Sequence, residues 1–328
     1  MIDDNFRGSF TAASSFPVKV LRQMKNCFCD TPNGKYGILP IHVQFCPTNR
    51  CDSACSFCSC SNRERNAEMS KEQMLEISHD LSVIGTKAVT ITGGGEPLLF
   101  PHLSEFIQTL SSYDMASGLT TNGNSLYHHK HDLNGLKWCR ISLGDHKDIA
   151  PFLASLISTI KEYPQIDWAF SYILSPNPDI DKLVQTVDFA NTYNFTHVRV
   201  SHDLLDLKHA TNMNKLKEVL SMRVQDNKVI YQDRQQFVRG KKRCLIGLLK
   251  PLIAPDGFIY PCCGVQYAIN GIEGNFPDCM RLEKASKIIE WSKSQIPFDG
   301  SVCDKCYYND YNLLLERIID PLSHEFFV

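Results

Sequence analysis

"IHVQF" (41–45) runs through "CPTNR" (46–50) into "CDSACSFC" (51–58). The first five residues read as a short apolar strand. The last eight gather Cys51, Cys55 and Cys58 in one tight loop just past it. Zinc sites and ordinary electron-transfer clusters usually take four protein ligands. Three thiolates leave one coordination position open, and an open position on a metal is where a substrate or cofactor binds. A zinc half-site completed by Cys46 or Cys60 is the other reading this spacing allows.

Working outward, strand and helix alternate from residue 38. Ser70 opens a helix with Gln73 placed as in a capping box, and Met74, Ile77, Leu81 and Ile84 form its apolar stripe. "AVTIT" (88–92) is a second strand, followed by a helix with Leu103, Phe106, Ile107 and Leu110. A third strand lies near 116–120 and a fourth is "CRISL" (139–143). "DWAFSYI" (167–173) and "HVRVS" (197–201) are the fifth and sixth, again separated by helical stripes. Six such strands imply a parallel sheet with right-handed crossovers, open or curved into a barrel. These folds place their chemistry at the C-terminal strand ends. The cysteine loop follows strand one and "GGGEP" (93–97) follows strand two, so the two motifs become neighbours if sheet order follows the chain. Asp145, Tyr172, His202 and Asp203 also fall at strand ends, with nothing in the sequence to rank them.

The chain has 328 residues, 43% hydrophobic and 21% charged, with a formal net charge of −2. That is a globular balance, long enough for one large domain and a smaller one. "MIDDNFRGSF" carries no apolar signal-peptide core, and "CLIGLLKPLIA" (244–254) is broken by Lys250 and Pro251. The expectation is a soluble cytoplasmic protein with no membrane partner. Fourteen cysteines in a reducing compartment then point to metal ligation or redox chemistry.

Cys51-x3-Cys55-x2-Cys58, with Phe57 before the third cysteine, resembles the signature of radical S-adenosylmethionine (radical SAM) enzymes. The resemblance implies a partial (βα)6 TIM-like barrel over residues 38–205. It also implies a [4Fe–4S] cluster on those three thiolates, with S-adenosylmethionine on the fourth iron. An electron then cleaves the sulfonium to a 5′-deoxyadenosyl radical, which abstracts hydrogen from a carbon. A flavodoxin- or ferredoxin-type protein would supply the electron. Gly93, Gly94, Gly95 and Glu96 resemble the family's glycine-rich strand end, which meets the methionine part of the cofactor. "SLGD" (142–145) resembles a fourth-strand motif contacting the ribose through Ser142, although relatives order it Ser-x-Asp-Gly. Thr121 and Asn122 are expected to line the pocket, and Arg199 to meet the carboxylate or adenine side.

A second cysteine group follows a polar, basic stretch. Cys244, "YPCC" (260–263) and "CDKC" (303–306) flank a hairpin whose turn is Asp256–Gly257. This order resembles the twitch domain, the shorter form of the SPASM domain. It implies a second, auxiliary [4Fe–4S] cluster on Cys244, Cys262, Cys303 and Cys306, placed to accept an electron from a substrate radical. The spacing alone equally permits a structural zinc site. The Pro-Cys order of relatives favours Cys262 over Cys263 as the ligand. Cys263 or Cys279 as a hydrogen-donating thiol ranks below a plain buried role, and Cys27, Cys29, Cys46, Cys60 and Cys139 read the same way.

The expected organisation is an N-terminal extension (1–37), the barrel (38–205), a basic helical linker (206–243), the auxiliary-cluster domain (244–310) and a tail (311–328). Residues 199–250 hold twelve Lys and Arg against five Asp and Glu. That balance suits a nucleotide or nucleic-acid substrate, though a solvated helix face explains it as well. Three readings of function stand: hydrogen abstraction from a small molecule or peptide, radical SAM modification of a nucleotide or nucleic acid, and a non-enzymatic zinc or electron-transfer protein.

Overall fold

Strand β1 (His42–Phe45) pairs in parallel with β2 (Ala88–Ile91), His42 opposite Ala88 and Phe45 opposite Ile91. Strands β3 (Ala116–Thr121), β4 (Leu136–Gly144), β5 (Asp167–Leu174) and β6 (His197–His202) follow in chain order, all parallel. The six strands read from the sequence are thus present and sit side by side in that order. This computed structural model describes residues 10, 19, 36–128, 131–144, 146–233 and 236–320. Cys27, Cys29 and Asp145, most of 1–37 and the end of the tail lie outside the described residues.

The sheet extends past both ends of that set. The stretch read as a basic linker forms helix α5 (Met213–Ser221, numbered after the four helices given next) and a seventh parallel strand, β7 (Val229–Gln232), paired to β6. At the other edge β8 (Leu252–Ile253) runs parallel to β1, and β9 (Phe258–Tyr260) and β10 (Glu283–Lys284) continue antiparallel. The ten-stranded sheet is open, with β7 and β10 at its edges. The auxiliary-cysteine segment is therefore joined to the barrel through backbone pairing. Gly257 makes the β8–β9 turn at φ +78°, a conformation that favours glycine.

Helices α1 (Lys71–Val83), α2 (Leu103–Ser112), α3 (Ile149–Glu162) and α4 (Ile180–Thr192) cross between strands. The capping box forms: Ser70 Oγ accepts from Gln73 N at 3.2 Å, and Ser70 N donates to Gln73 Oε1 at 3.0 Å. Short α6 (Ile246–Leu249), α7 (Ile288–Ser294) and α8 (Asn309–Ile319) complete the C-terminal part, α7 packing on α1 and α8 on α6. Among the described residues no helix is long and apolar enough to cross a membrane.

Period-two alternation separates the two faces of the sheet. Phe45, Ile91, Leu119, Ile141, Phe170 and Val200 are fully buried in the main core. Burying each such side chain stabilises the fold by about 1.5–3 kcal/mol. Their neighbours in the chain, such as Gln44, Thr92, Arg140, Ser142, Ser171 and Arg199, line cavities on the other face. One face holds the fold together and the other is polar and available for chemistry. Near the starts of the strands, Phe10 stacks on Trp138 (4.9 Å) and meets His197 edge-on (4.8 Å).

Candidate active site

The two motif loops are clamped together at the ends of β1 and β2. Gly95 N donates to Thr48 O (3.0 Å) and Glu96 N to Arg50 O (2.7 Å). A Cβ on Gly94 would lie 1.8 Å from Asn49 Oδ1, and one on Gly95 would lie 2.1 Å from Arg50 O. These glycines are needed for close approach: no side chain fits between the loops. The clamp fixes the residue before Cys51 against the glycine-rich turn.

Cys51, Cys55 and Cys58 are partly exposed, whereas Cys46 and Cys60 are buried in a small apolar cluster with Leu252, Tyr260 and Val265. Burial raises the pKa of the Cys55 thiol, and neighbouring Cys58 and Cys51 raise it further, so the three thiols feel one another. Among the described residues no three Cys, His, Asp or Glu side chains gather as a site for a single metal ion. Arg63, only 6% exposed, braces the loop: Nε donates to Asn49 O (2.8 Å), while Nη1 donates to Cys60 O (2.5 Å) and lies 3.7 Å from Cys58 Sγ.

Cys55, Phe57 and Cys58 open on a cavity of about 510 Å³ whose wall includes Ser142, Ser171 and Ser201 at the C-terminal ends of β4–β6. Phe57 packs against Gly144, where a Cβ would come within 3.2 Å of its ring, and meets His146 edge-on at 5.2 Å. His146 Nε2 lies 3.8 Å from Cys55 Sγ. Arg199 also lines this cavity, its Nη2 donating to Ser171 Oγ at 2.6 Å. His202 and Asp203 line it too, while Tyr172 is fully buried in the core.

Glu96 ties three loops together. Its carboxylate accepts from Thr121 Oγ1 (2.6 Å), Asn122 N (2.7 Å) and Leu98 N (3.0 Å). Burial pushes its pKa up to about 7 against the opposing pull of those hydrogen bonds. Asn122 Nδ2 in turn donates to Asp52 Oδ1 (2.6 Å) and Ser53 Oγ (3.0 Å), reaching the cysteine loop. Lys147 Nζ donates to Asn122 O and Asn124 Oδ1, both at 2.6 Å, and burial lowers its pKa to about 8. Thr121 and Glu96 thus act through the loop scaffold. Arg63, His146 and Lys147 escaped sequence reading: His146 and Lys147 act across separate strand ends, and Arg63 through the fold of the cysteine loop itself.

Cys244, Cys262, Cys303 and Cys306 line a single enclosed pocket. Backbone bonds hold its walls: Gly240 N to Cys303 O (2.8 Å), Cys244 N to Phe298 O (3.0 Å) and Cys306 N to Val238 O (2.7 Å). Burial pushes the Cys244 and Cys303 thiols up to about 12, so a metal entering here must displace protons. Cys263 does not line this pocket. It opens on a different cavity, with Sγ 3.3 Å from Tyr308 Oη. Cys279 is exposed, and Cys139 lies in the main core.

With this geometry in view, the comparisons are consistent. Residues 45–194 match the radical SAM superfamily model, and this part of the chain is a radical SAM domain. Domains of that superfamily use a [4Fe–4S] cluster and S-adenosylmethionine. The GTP 3′,8-cyclase of Campylobacter jejuni is 30% identical over 168 residues, covering 46% of this chain and 52% of the relative. An S-adenosylmethionine-dependent nucleotide dehydratase of Flammeovirga pacifica is 33% identical over 82 residues, 23% of this chain and 28% of the relative. The chain thus spans about half or less of the curated relatives it matches. Among solved structures, Streptococcus suis SuiB bound to S-adenosylmethionine superposes with TM-score 0.53 at 15% identity, over 92% of this chain and 80% of that one. The protein anSMEcpe with bound AdoMet and a peptide gives TM-score 0.51 at 11% identity, over 87% and 84%. These two likenesses establish the fold.

Proposed function

We propose that the chain is an enzyme that cleaves S-adenosylmethionine reductively and removes a hydrogen atom from a carbon of a small-molecule or peptide substrate. Cys51, Cys55 and Cys58 would hold the cluster that binds the cofactor, and Cys244, Cys262, Cys303 and Cys306 a second [4Fe–4S] cluster. When bound, the first cluster supplies the electron that converts S-adenosylmethionine to the 5′-deoxyadenosyl radical, and the second takes up an electron. The observation that carries this reading is the three-thiol loop clamped to the glycine-rich turn at the mouth of a cavity.

The residues of this chain supply position. The Gly95–Thr48 and Glu96–Arg50 bonds fix the loop, and Arg63 orients Cys58. Phe57, held against Gly144, stands beside Cys55 and Cys58 in the cavity wall. Ser142 and Ser171 present hydroxyls to whatever lies in the cavity. Gly93–Gly95 remain the proposed contact for the methionine end, through backbone groups, because both Glu96 oxygens already accept hydrogen bonds from the protein. A flavodoxin- or ferredoxin-type protein is the proposed electron donor.

A nucleotide substrate is the second reading. It is supported by relatives named for nucleotide chemistry and by cations lining the cavity system. The test is anaerobic reconstitution with iron and sulfide, then dithionite and S-adenosylmethionine. 5′-Deoxyadenosine is expected from the wild type and is absent from the Cys51→Ala/Cys55→Ala/Cys58→Ala variant. Zinc in place of iron, with no deoxyadenosine from either protein, would leave the non-enzymatic zinc or electron-transfer reading.

A further inference from the structure

Three cations gather outside the four-cysteine pocket, one of them, Arg199, shared with the cavity at the three-thiol loop. A second cavity, of about 270 Å³, lies between the polar face of the sheet and the auxiliary-cysteine segment. Ser59, Arg199, Gln232 and Tyr307 line both this cavity and the one at the three-thiol loop, so the two adjoin. Arg140 from β4, Arg199 from β6 and Lys250 from the end of α6 all reach its wall. No aspartate or glutamate is among its described lining residues.

These cations are held out of water. Arg140 is 6% exposed and Lys250 8%. Burial lowers the pKa of both. Arg199 lowers Arg140 further and Arg140 lowers Lys250, which falls to about 8, so the charges press on one another. Arg140 Nη2 donates to Thr120 Oγ1 at 3.4 Å, and Lys250 Nζ lies 5.7 Å from the Tyr308 ring centroid. Arg199 spends Nη2 on Ser171, but its buried Nε has no hydrogen-bond partner. Burying like charges together is unfavourable unless an opposite charge joins them. None of the three lines the four-cysteine pocket, so a cluster there does not fill the role by direct contact.

We propose that this cavity holds a phosphate group of the substrate, bound by Arg140, Arg199 and Lys250. The proposal rests on the radical SAM reading above and adds the substrate class: a phosphorylated small molecule, of which a nucleotide is one kind. A carboxylate carries one charge and is satisfied by one guanidinium fork. A phosphate ester carries nearly two charges and three acceptor oxygens, which matches donors converging from three separate elements. Anchored there, the rest of the molecule extends into the adjoining cavity toward Cys55 and Cys58.

The test titrates reconstituted holoenzyme with inorganic phosphate and, separately, malonate by calorimetry at constant ionic strength. The proteins are wild type, Arg140→Gln, Lys250→Met and, as a surface control, Lys208→Met. One phosphate per chain is expected. Binding should weaken at least ten-fold in Arg140→Gln and in Lys250→Met, stay unchanged in Lys208→Met, and exceed malonate binding at least ten-fold. S-adenosylmethionine affinity should stay within two-fold when phosphate saturates. The iron content of each variant shows whether it has folded. Phosphate binding that is absent from wild type, equal in all variants, matched by malonate, or competitive with S-adenosylmethionine would overturn the proposal. Deoxyadenosine formed by wild type without substrate scores the radical reading separately: its loss sinks that reading, while its persistence beside a failed titration sinks this one alone.

Discussion

At the three-thiol loop, Cys55 and Cys58 border a cavity of about 510 Å³; at the four-thiol pocket, Cys244, Cys262, Cys303 and Cys306 line a smaller one whose walls are tied by backbone hydrogen bonds. The two sites differ in thiol count and in the size of the cavity beside them, although Cys262, Cys303 and Cys306 are partly exposed like Cys51, Cys55 and Cys58. A site with three protein ligands leaves a coordination position free and stands where a small molecule can reach it. A site with four protein ligands would have no position left. Both hang from the same sheet, one after β1 and one beyond β8, which pairs with β1. One sheet thus carries two cysteine groups of different thiol count on loops at neighbouring strands.

The largest effect that would break this comparison comes from the clamp. Gly95→Val puts side-chain atoms where Arg50 O already lies 2.1 Å from an ideal Cβ. Displacing the loop by an ångström is expected to cut deoxyadenosine formation by about 100-fold or more, read by chromatography, with the auxiliary iron retained. The next separates adjacent cysteines. Cys262→Ser should lose roughly four irons per chain, while Cys263→Ser keeps them, because Cys262 lines the four-thiol pocket and Cys263 does not. Iron analysis of the two variants decides it, and equal loss in both would remove the distinction.

A smaller effect is expected at Arg63. Arg63→Met leaves Asn49 O and Cys60 O without their buried donor and Cys58 without its neighbouring cation. Stability measured by urea unfolding should fall by about 1–3 kcal/mol, and the three-thiol cluster should be lost to chelators faster than the auxiliary one. The smallest concerns Glu96, whose pKa burial raises from the usual 4.5 to about 7. Between those values the native state keeps a proton that the unfolded chain has lost. Stability therefore falls as pH rises from about 4.5 to about 7. Glu96→Gln should flatten that slope, as urea midpoints at pH 5.5 and 7.5 would reveal.

Much of the architecture was written locally. The six strands, the Ser70 capping box and the Gly257 hairpin each depend on a few adjacent residues, and each is present. Strand β7 was hidden because "VIYQ" has a short apolar signal inside a polar, basic stretch. Part of that basic character belongs to exposed residues such as Lys208, whereas Lys250 and Arg199 turn to the cavity. Arg140 was legible in principle: in "CRISL" it alternates with buried Cys139 and Ile141 on the face shared with Ser142. Assigning that face as a cavity wall required knowing that the opposite face packs the helices. Lys147 was not legible, because its partners lie at the end of another strand, and Arg63 was not, because its contacts depend on how the cysteine loop folds back on itself.

The two cysteine sites are proposed to hold two separate clusters, one with three protein ligands and one with four. The most direct test is iron and zinc content with Mössbauer spectra on three anaerobically reconstituted proteins. These are wild type, the Cys51→Ala/Cys55→Ala/Cys58→Ala variant, and the Cys244→Ala/Cys262→Ala/Cys303→Ala/Cys306→Ala variant. About eight irons are expected in wild type and about four in each variant, with S-adenosylmethionine perturbing the spectrum only where Cys51, Cys55 and Cys58 remain. About four irons in wild type, or zinc in either site, would contradict that proposal.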